Sequence, residues 1–227
     1  MFALDRVVPW GRSFDEYRRM FALSDADLQR RIVDCGAGPA SFNVEATRRG
    51  AHVISCDPLY QCEAEDIRQR IAATYDMVLA ETRRNQNEFV WGAIASVDEL
   101  GAIRMAAMDA FLADYTMGRA AGRYVDAALP ELPFLDASFD IALCSHLLFL
   151  YTDHLDDTFH FLAVRELCRI APDVRIFPLI SLGGLPSRYV DPISQVFAHL
   201  GFTVAIEKVA YEFRRGANEM MRIRRAR

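Results

Sequence analysis

Asp34-Cys35-Gly36-Ala37-Gly38-Pro39-Ala40-Ser41 is the stretch of this chain best equipped for chemistry, and Asp57 lies 21 residues beyond Gly36. A glycine turn that opens a helix lets a ligand approach the backbone closely. A carboxylate at the end of the next apolar stretch can accept both hydrogen bonds from a ribose diol. Together they point to a nucleoside-bearing cofactor. Flavin, nicotinamide and sulfonium cofactors all remain open on these residues alone.

Three features weigh among them. A dinucleotide fingerprint reads G-x-G-x-x-G, and the third position here is Ser41. Asp34 ends an apolar segment, where an anion beside a pyrophosphate is unfavourable and a carboxylate beside a cationic amino group is favourable. S-adenosylmethionine carries an ammonium and a sulfonium and no phosphate. A flavin oxidoreductase also tends to need a second domain, for which 227 residues leave little room.

His146 directly follows an apolar segment and is the candidate general base, should the reaction need one. Its neighbours Leu147, Leu148 and Phe149 equally suit a hydrogen-bonded structural histidine. Asp153 and His154 read as caps of the helix after them. Trp10, Arg12, Ser13 and Tyr17 are candidates to fold over a cofactor carboxylate. Asn85, Asn87, Glu88 and Trp91 are candidates to meet an acceptor, although aromatic residues at such spacing also suit a core. The five cysteines (Cys35, Cys56, Cys62, Cys144, Cys168) form no C-x-x-C pair, which predicts reduced thiols rather than a metal site.

These groups need elements to position them. Ser13 to Glu16 has capping-box spacing, so a helix precedes the first strand. Arg31 to Cys35 reads as a buried strand, Ala40 to Arg49 as a helix ended by Gly50, and His52 to Cys56 as the next strand. This is a βαβ unit, which implies a parallel sheet. Residues 61–118 carry helical periodicity twice, far more than one crossover needs, and read as a helical insertion and possible lid. Gly122 to Val125 and Phe139 to Cys144 are the third and fourth strands. An amphipathic helix covers 153–170, Val174 to Phe177 is the fifth strand, and a helix covers 189–200. Phe202 to Val209 and Glu219 to Ile223 close the sheet as a hairpin. The expectation is one α/β domain over 1–227 with seven strands, five of them alternating with helices.

The formal net charge of −5 disfavours a nucleic-acid partner. The basic tail FRRGANEMMRIRRAR reads as an edge strand with solvated arginines. No apolar run approaches the roughly 18 residues of a membrane span. The opening segment MFALDRVVPWGRSFDEY lacks a basic region followed by an apolar one, so no signal peptide is expected. With the cysteine pattern, this predicts a cytoplasmic protein. The residues leave the oligomeric state open.

At this point the sequence resembles a known family. RIVDCGAGPASFNVEATRRGAHVISCD is similar to the first motif of class I S-adenosylmethionine-dependent methyltransferases, D-x-G-x-G-x-G with an acidic residue closing the second strand. LPELPFLDASFDIALCSH is similar to their later block, and GFTVAIEKV to the segment that opens their sixth strand. The strings LCSHLLFLY and RIFPL also resemble a bacterial group of uncharacterised proteins of this class. The resemblance implies a Rossmann-like, doubly wound seven-stranded sheet, mostly parallel with one antiparallel edge strand, and S-adenosylmethionine as cofactor. It implies that Asp34, Gly36 and Gly38 line the methionine part, with Ala37 in the same turn, and Arg12 and Tyr17 stay candidates for the carboxylate from their place before it. Asp57 holds the ribose, Pro58 and Leu59 flank the adenine, and Ser145 faces the sulfonium. The acidic residue often found four positions before the LPF string is Ala128 here. Adenine contact then falls to the backbone of Ala128 and Leu129, with Asp126 as a substitute.

The fourth strand lacks Asn-Pro-Pro-Tyr, which argues against methylation of exocyclic amines. Cys144 lacks the adjacent proline of a cytosine nucleophile, and no carboxylate cluster suggests a metal-dependent type. A small-molecule methyl acceptor is the first expectation. A cofactor-binding regulator or protein-directed enzyme is the second, and a nucleotide-cofactor oxidoreductase the third.

Overall fold

The computed structural model describes residues 8–225. The first seven residues, on which the signal-peptide reading rests in part, and the last two of the basic tail lie outside them. Seven strands form one sheet in the order β3-β2-β1-β4-β5-β7-β6. They are β1 (Arg31–Cys35), β2 (His52–Cys56), β3 (Tyr124–Val125), β4 (Ile141–Ser145), β5 (Asp173–Phe177), β6 (Phe202–Lys208) and β7 (Glu219–Arg225). β1 pairs in parallel with both β2 and β4. β7 runs antiparallel to β5 and β6 and lies one place in from the edge.

That placement corrects the reading of the tail as an edge strand. Its arginines are not all solvated either, since Arg222 reaches Asp173 at 2.7 Å from within the sheet. Arg175, 1% exposed, joins the same network through Asp173 and Asp27. The strand pattern explains why the ions sit there. β5 is buried along its whole length, so its two charged residues are kept only by pairing.

Alternate residues of the central strands face opposite layers, as the period of two requires. Val33, Cys35, Ala142 and Cys144 pack toward α6 (Asp157–Ile170) and α7 (Val190–His199). Ile32, Ile141 and Leu143 pack toward α1 (Phe14–Met20), the short α2 (Asp25–Leu28) and α3 (Phe42–Arg48). The strand order reverses between β1 and β4, which opens a crevice at their carboxyl ends.

The long segment between β2 and β3 is a pair of helices, α4 (Ala64–Arg84) and α5 (Val97–Ala120). Gly101 lets them meet closely, because a Cβ there would stand 2.4 Å from the Tyr75 hydroxyl. Gly118 does the same for α5 against the Tyr124 ring of β3. The cap of α6 is Asp156, whose side chain accepts from the Phe159 amide. Asp153 and His154 therefore do not cap it, and Asp153 instead pairs with Arg188. Among the described residues, no helix is long and apolar enough to cross a membrane.

Candidate functional site

A cavity of about 670 Å³ opens at the carboxyl ends of β1, β2, β4 and β5, under the α4–α5 pair. Of the thirteen residues expected to bind or react, twelve line it: Arg12, Tyr17, Gly36, Ala37, Gly38, Asp57, Pro58, Leu59, Ala128, Leu129, Ser145 and His146. Asp34 does not. Asp34 shares its strand face with Ile32 and points toward α1, where Tyr17 (1% exposed) covers it. Its carboxyl is fully buried, and the Tyr17 side chain is the polar group set against it. Burial, aided by the charge of Asp57, pushes its carboxyl up to about 8. The group is thus mostly protonated at neutral pH.

The glycine turn is held from several sides. The amides of Gly36 and Ala37 donate to the Cys56 carbonyl, and the Gly38 amide donates to Asp57 Oδ2 at 2.8 Å. The Ser41 amide donates to the Arg12 carbonyl. Tyr60 donates to the Gly38 carbonyl at 2.7 Å, and Tyr115 supports Tyr60 in turn. Gly36 and Gly38 both adopt positive φ, and a Cβ on Gly36 would press on Leu147 at 2.7 Å. A Cβ on Gly38 would meet nothing within 4 Å.

Asp57 does two things at once. Its Oδ1 caps the turn of 3-10 helix at Pro58–Gln61 by accepting from Leu59, while its Oδ2 ties down Gly38. Each oxygen keeps a second lone pair for a ligand hydroxyl. Burial raises its carboxyl; the two amides oppose this, and the charge of Asp126 adds to it. Asp126 itself is exposed and off the cavity wall.

His146 has φ +53, an uncommon conformation for a side-chain-bearing residue and one that clusters at functional sites. Its amide donates to the Phe177 carbonyl, and its Nδ1 lies 2.8 Å from Ser145 Oγ. Burial holds its pKa well below the usual histidine value, with further lowering from the Arg12 and Arg104 charges. It is therefore a neutral hydrogen-bonding group and a weak base.

A buried ion cluster forms the polar end of the cavity, and the sequence reading missed it. Glu16 of α1 accepts from Arg104 Nη1 and Nη2, from the Ser13 amide and from the Tyr211 hydroxyl. Burial alone would raise Glu16, but Arg104 and then Arg12 bring it down to about 2. The sequence signal was there: Arg104 falls on the buried stripe of α5, between Leu100 and Met108. A lone arginine on an apolar helical face needs a partner.

Ser13 serves the α1 capping box rather than the cavity. Asn85, Asn87, Glu88 and Trp91 do not line it either. Asn85 bonds Glu81 and Glu88 pairs with Arg214. Trp91 packs behind Phe213, and Asn87 faces solvent. They lie at and just beyond the end of α4, where the chain turns back toward α5. The wall here is made instead by α4 from Arg70 to Thr82, by Leu100 and Arg104 in the first turns of α5, and by Phe89 between them.

No family model matches the chain. The uncharacterized protein MJ0045 of Methanocaldococcus jannaschii is 34% identical over 223 residues, which cover 98% of this chain and 98% of that one. The chain belongs to the family of that protein. The relative is archaeal, whereas the sequence strings suggested a bacterial group. Among solved structures, the mitomycin 7-O-methyltransferase MmcR is similar with a TM-score of 0.50 and 15% identity. That match covers 94% of this chain and 54% of the other. Magnesium protoporphyrin IX methyltransferase from Synechocystis PCC 6803, solved with bound SAM, has a TM-score of 0.49 at 13% identity. It covers 94% of this chain and 91% of that one. The likeness to MmcR is one of fold: the α/β, Rossmann-like sheet expected from the sequence.

Proposed function

We propose that this protein is an S-adenosylmethionine-dependent methyltransferase acting on a small-molecule acceptor. The observation that carries this reading is the state of the glycine turn. The amides of Gly36, Ala37, Gly38 and Ser41 are all consumed inside the protein. A pyrophosphate needs such amides pointed at it, and the group nearest the turn is instead the Asp57 carboxylate. That donor set fits a neutral ribose on a cationic cofactor and disfavours a flavin or nicotinamide dinucleotide.

In this reading Asp57 accepts the ribose diol through the lone pairs its two amide contacts leave over. Pro58, Leu59, Ala128 and Leu129 flank the adenine with apolar surface and backbone groups. Gly36, Ala37 and Gly38 border the methionine part, and the open space at Gly38 admits it. Asp34 acts from behind Tyr17 as a buried carboxyl that a nearby cation would help to ionise. The bound cofactor supplies an electrophilic methyl carbon on a sulfonium. Ser145 and His146 stand at the end of β4, where the acceptor must approach in line. His146, kept neutral, orients the acceptor by hydrogen bonding.

The cavity continues past these residues into an apolar chamber walled by Val78, Phe89, Leu100, Leu150, Leu182 and Phe213. That room favours an enzyme with an organic acceptor over a silent cofactor binder. Calorimetric titration with S-adenosylmethionine tests the reading. Micromolar binding that Asp57→Ala weakens at least about a hundredfold is expected, since two charge-assisted hydrogen bonds are lost. Binding of a flavin or nicotinamide dinucleotide in its place would overturn it.

A further inference from the structure

The charges at the polar end of the cavity do not balance. Arg12 and Arg104 both stand on its wall, and Glu16 is the carboxylate that answers them. Glu16 is already saturated. Its Oε1 takes Arg104 Nη2 at 2.7 Å and the Tyr211 hydroxyl at 2.8 Å, while its Oε2 takes Arg104 Nη1 and the Ser13 amide. Among the described residues Arg12 is left with one bond, from Nη1 to the Trp10 carbonyl at 2.6 Å, and its Nε is buried without an acceptor. The other carboxylates near the cavity among the described residues are committed elsewhere. Asp57 is held by Gly38 and Leu59, and Asp34 lies behind Tyr17.

We infer that the acceptor is an apolar small molecule bearing one anionic group, and that Arg12 holds that group. A half-buried guanidinium whose Nε is sealed off without an acceptor, sharing one carboxylate with a second arginine, is costly, and an anionic ligand gains both charge and hydrogen bonds there. The inference rests on the methyltransferase reading above and reassigns Arg12 from the cofactor carboxylate to the acceptor.

The reason lies in which groups surround it. Arg12 acts electrostatically on His146, Tyr151 and Tyr211, beside the apolar chamber, as well as on its neighbours Glu16 and Tyr17. Its backbone carbonyl takes the Ser41 amide at the end of the glycine turn, so Arg12 stands where the cofactor end of the cavity meets that chamber. Burial, and then the like charge of Arg104, lowers the pKa of Arg12 itself, as expected for a cation short of an anion. Trp10, whose carbonyl Arg12 holds, packs against Tyr75 of α4 at 5.8 Å and begins the apolar wall. An anion on Arg12 therefore leaves the rest of its molecule against apolar and aromatic surface.

The test uses matched probes on the full chain saturated with S-adenosylhomocysteine. Benzoate, naphthoate and biphenylcarboxylate are each titrated against their uncharged amides, into wild type, Arg12→Gln and Arg12→Lys. At least one acid should bind about tenfold or more tighter than its amide in wild type, the scale of one charge-assisted pair. Arg12→Gln should abolish that preference and Arg12→Lys should keep part of it. S-adenosylhomocysteine affinity should stay within about twofold in both variants. Three results would overturn the inference: no preference for any acid, a preference that survives Arg12→Gln, or a loss of S-adenosylhomocysteine affinity in Arg12→Gln. If wild type fails to bind S-adenosylhomocysteine, the cofactor reading falls. The same probe pairs on the ligand-free protein then decide the acidic preference separately.

Discussion

Asp34 offers the sharpest physical test of the site. It is fully buried behind Tyr17, and burial pushes its carboxyl up to about 8 from the ordinary aspartate value of about 4. In the unfolded chain it ionises near pH 4, whereas in the folded protein it keeps its proton to about pH 8. The folded state therefore binds more protons between those values, and stability falls as pH rises through that window. From pH 4 to pH 7 the span is about three pH units. At about 1.4 kcal/mol per unit, that is a loss of about 4 kcal/mol as an upper figure. Asp34→Asn keeps the shape and removes the titration. Urea unfolding of both proteins at several pH values should show the variant gaining on wild type by a few kcal/mol between pH 4 and 7. Because other carboxylates titrate alike in both, the difference isolates Asp34. A difference that is flat with pH would refute the claim that this carboxyl is buried uncharged.

Other expectations follow from the same geometry. Glu16→Gln leaves Arg104 and Arg12 buried together without an anion and should cost about 3–5 kcal/mol by denaturant unfolding; a loss below about 1 kcal/mol would mean that water reaches the cluster. Gly36→Ala and Gly50→Ala both place a side chain at positive φ, but only Gly36 also meets Leu147. Gly50→Ala should cost about 1 kcal/mol and Gly36→Ala clearly more, and equal losses would contradict the close contact. The His146 imidazole, held neutral by burial and by Arg12 and Arg104, should show no protonation step between pH 5.5 and 8 in its NMR ring signals. A midpoint near the ordinary histidine value of about 6.5 would show that burial does not exclude water from the ring and that the guanidinium charges do not reach it.

Local pattern carried the fold a long way. The alternation of short apolar runs, glycine turns and amphipathic stretches marked all seven strands, because burial on both faces demands apolar runs and crossovers demand helices between them. Strand ends shifted by one or two residues, as with Ile141–Ser145 against the expected Phe139 to Cys144. Ends depend on where pairing stops, and no single residue announces that.

The candidate site divides the same way. The glycine turn, Asp57 and the end of β4 were legible because each sits at a fixed place in a βαβ unit, so chain order dictates that they converge. The sequence by itself thus determined the sheet, its helices and the glycine-turn half of the cavity. Only the tertiary structure decided what faces what. It turned Asp34 away behind Tyr17, although its position in the chain suited a wall residue. It carried Asn85, Asn87, Glu88 and Trp91 past the cavity, and moved β7 in from the edge. It also brought Arg104, Glu16, Tyr211 and Arg12 together from three distant parts of the chain. Contacts between α1, α5 and the loop before β7 have no local period. They arise only when apolar faces dock, and the charges caught between those faces must then find one another or a ligand.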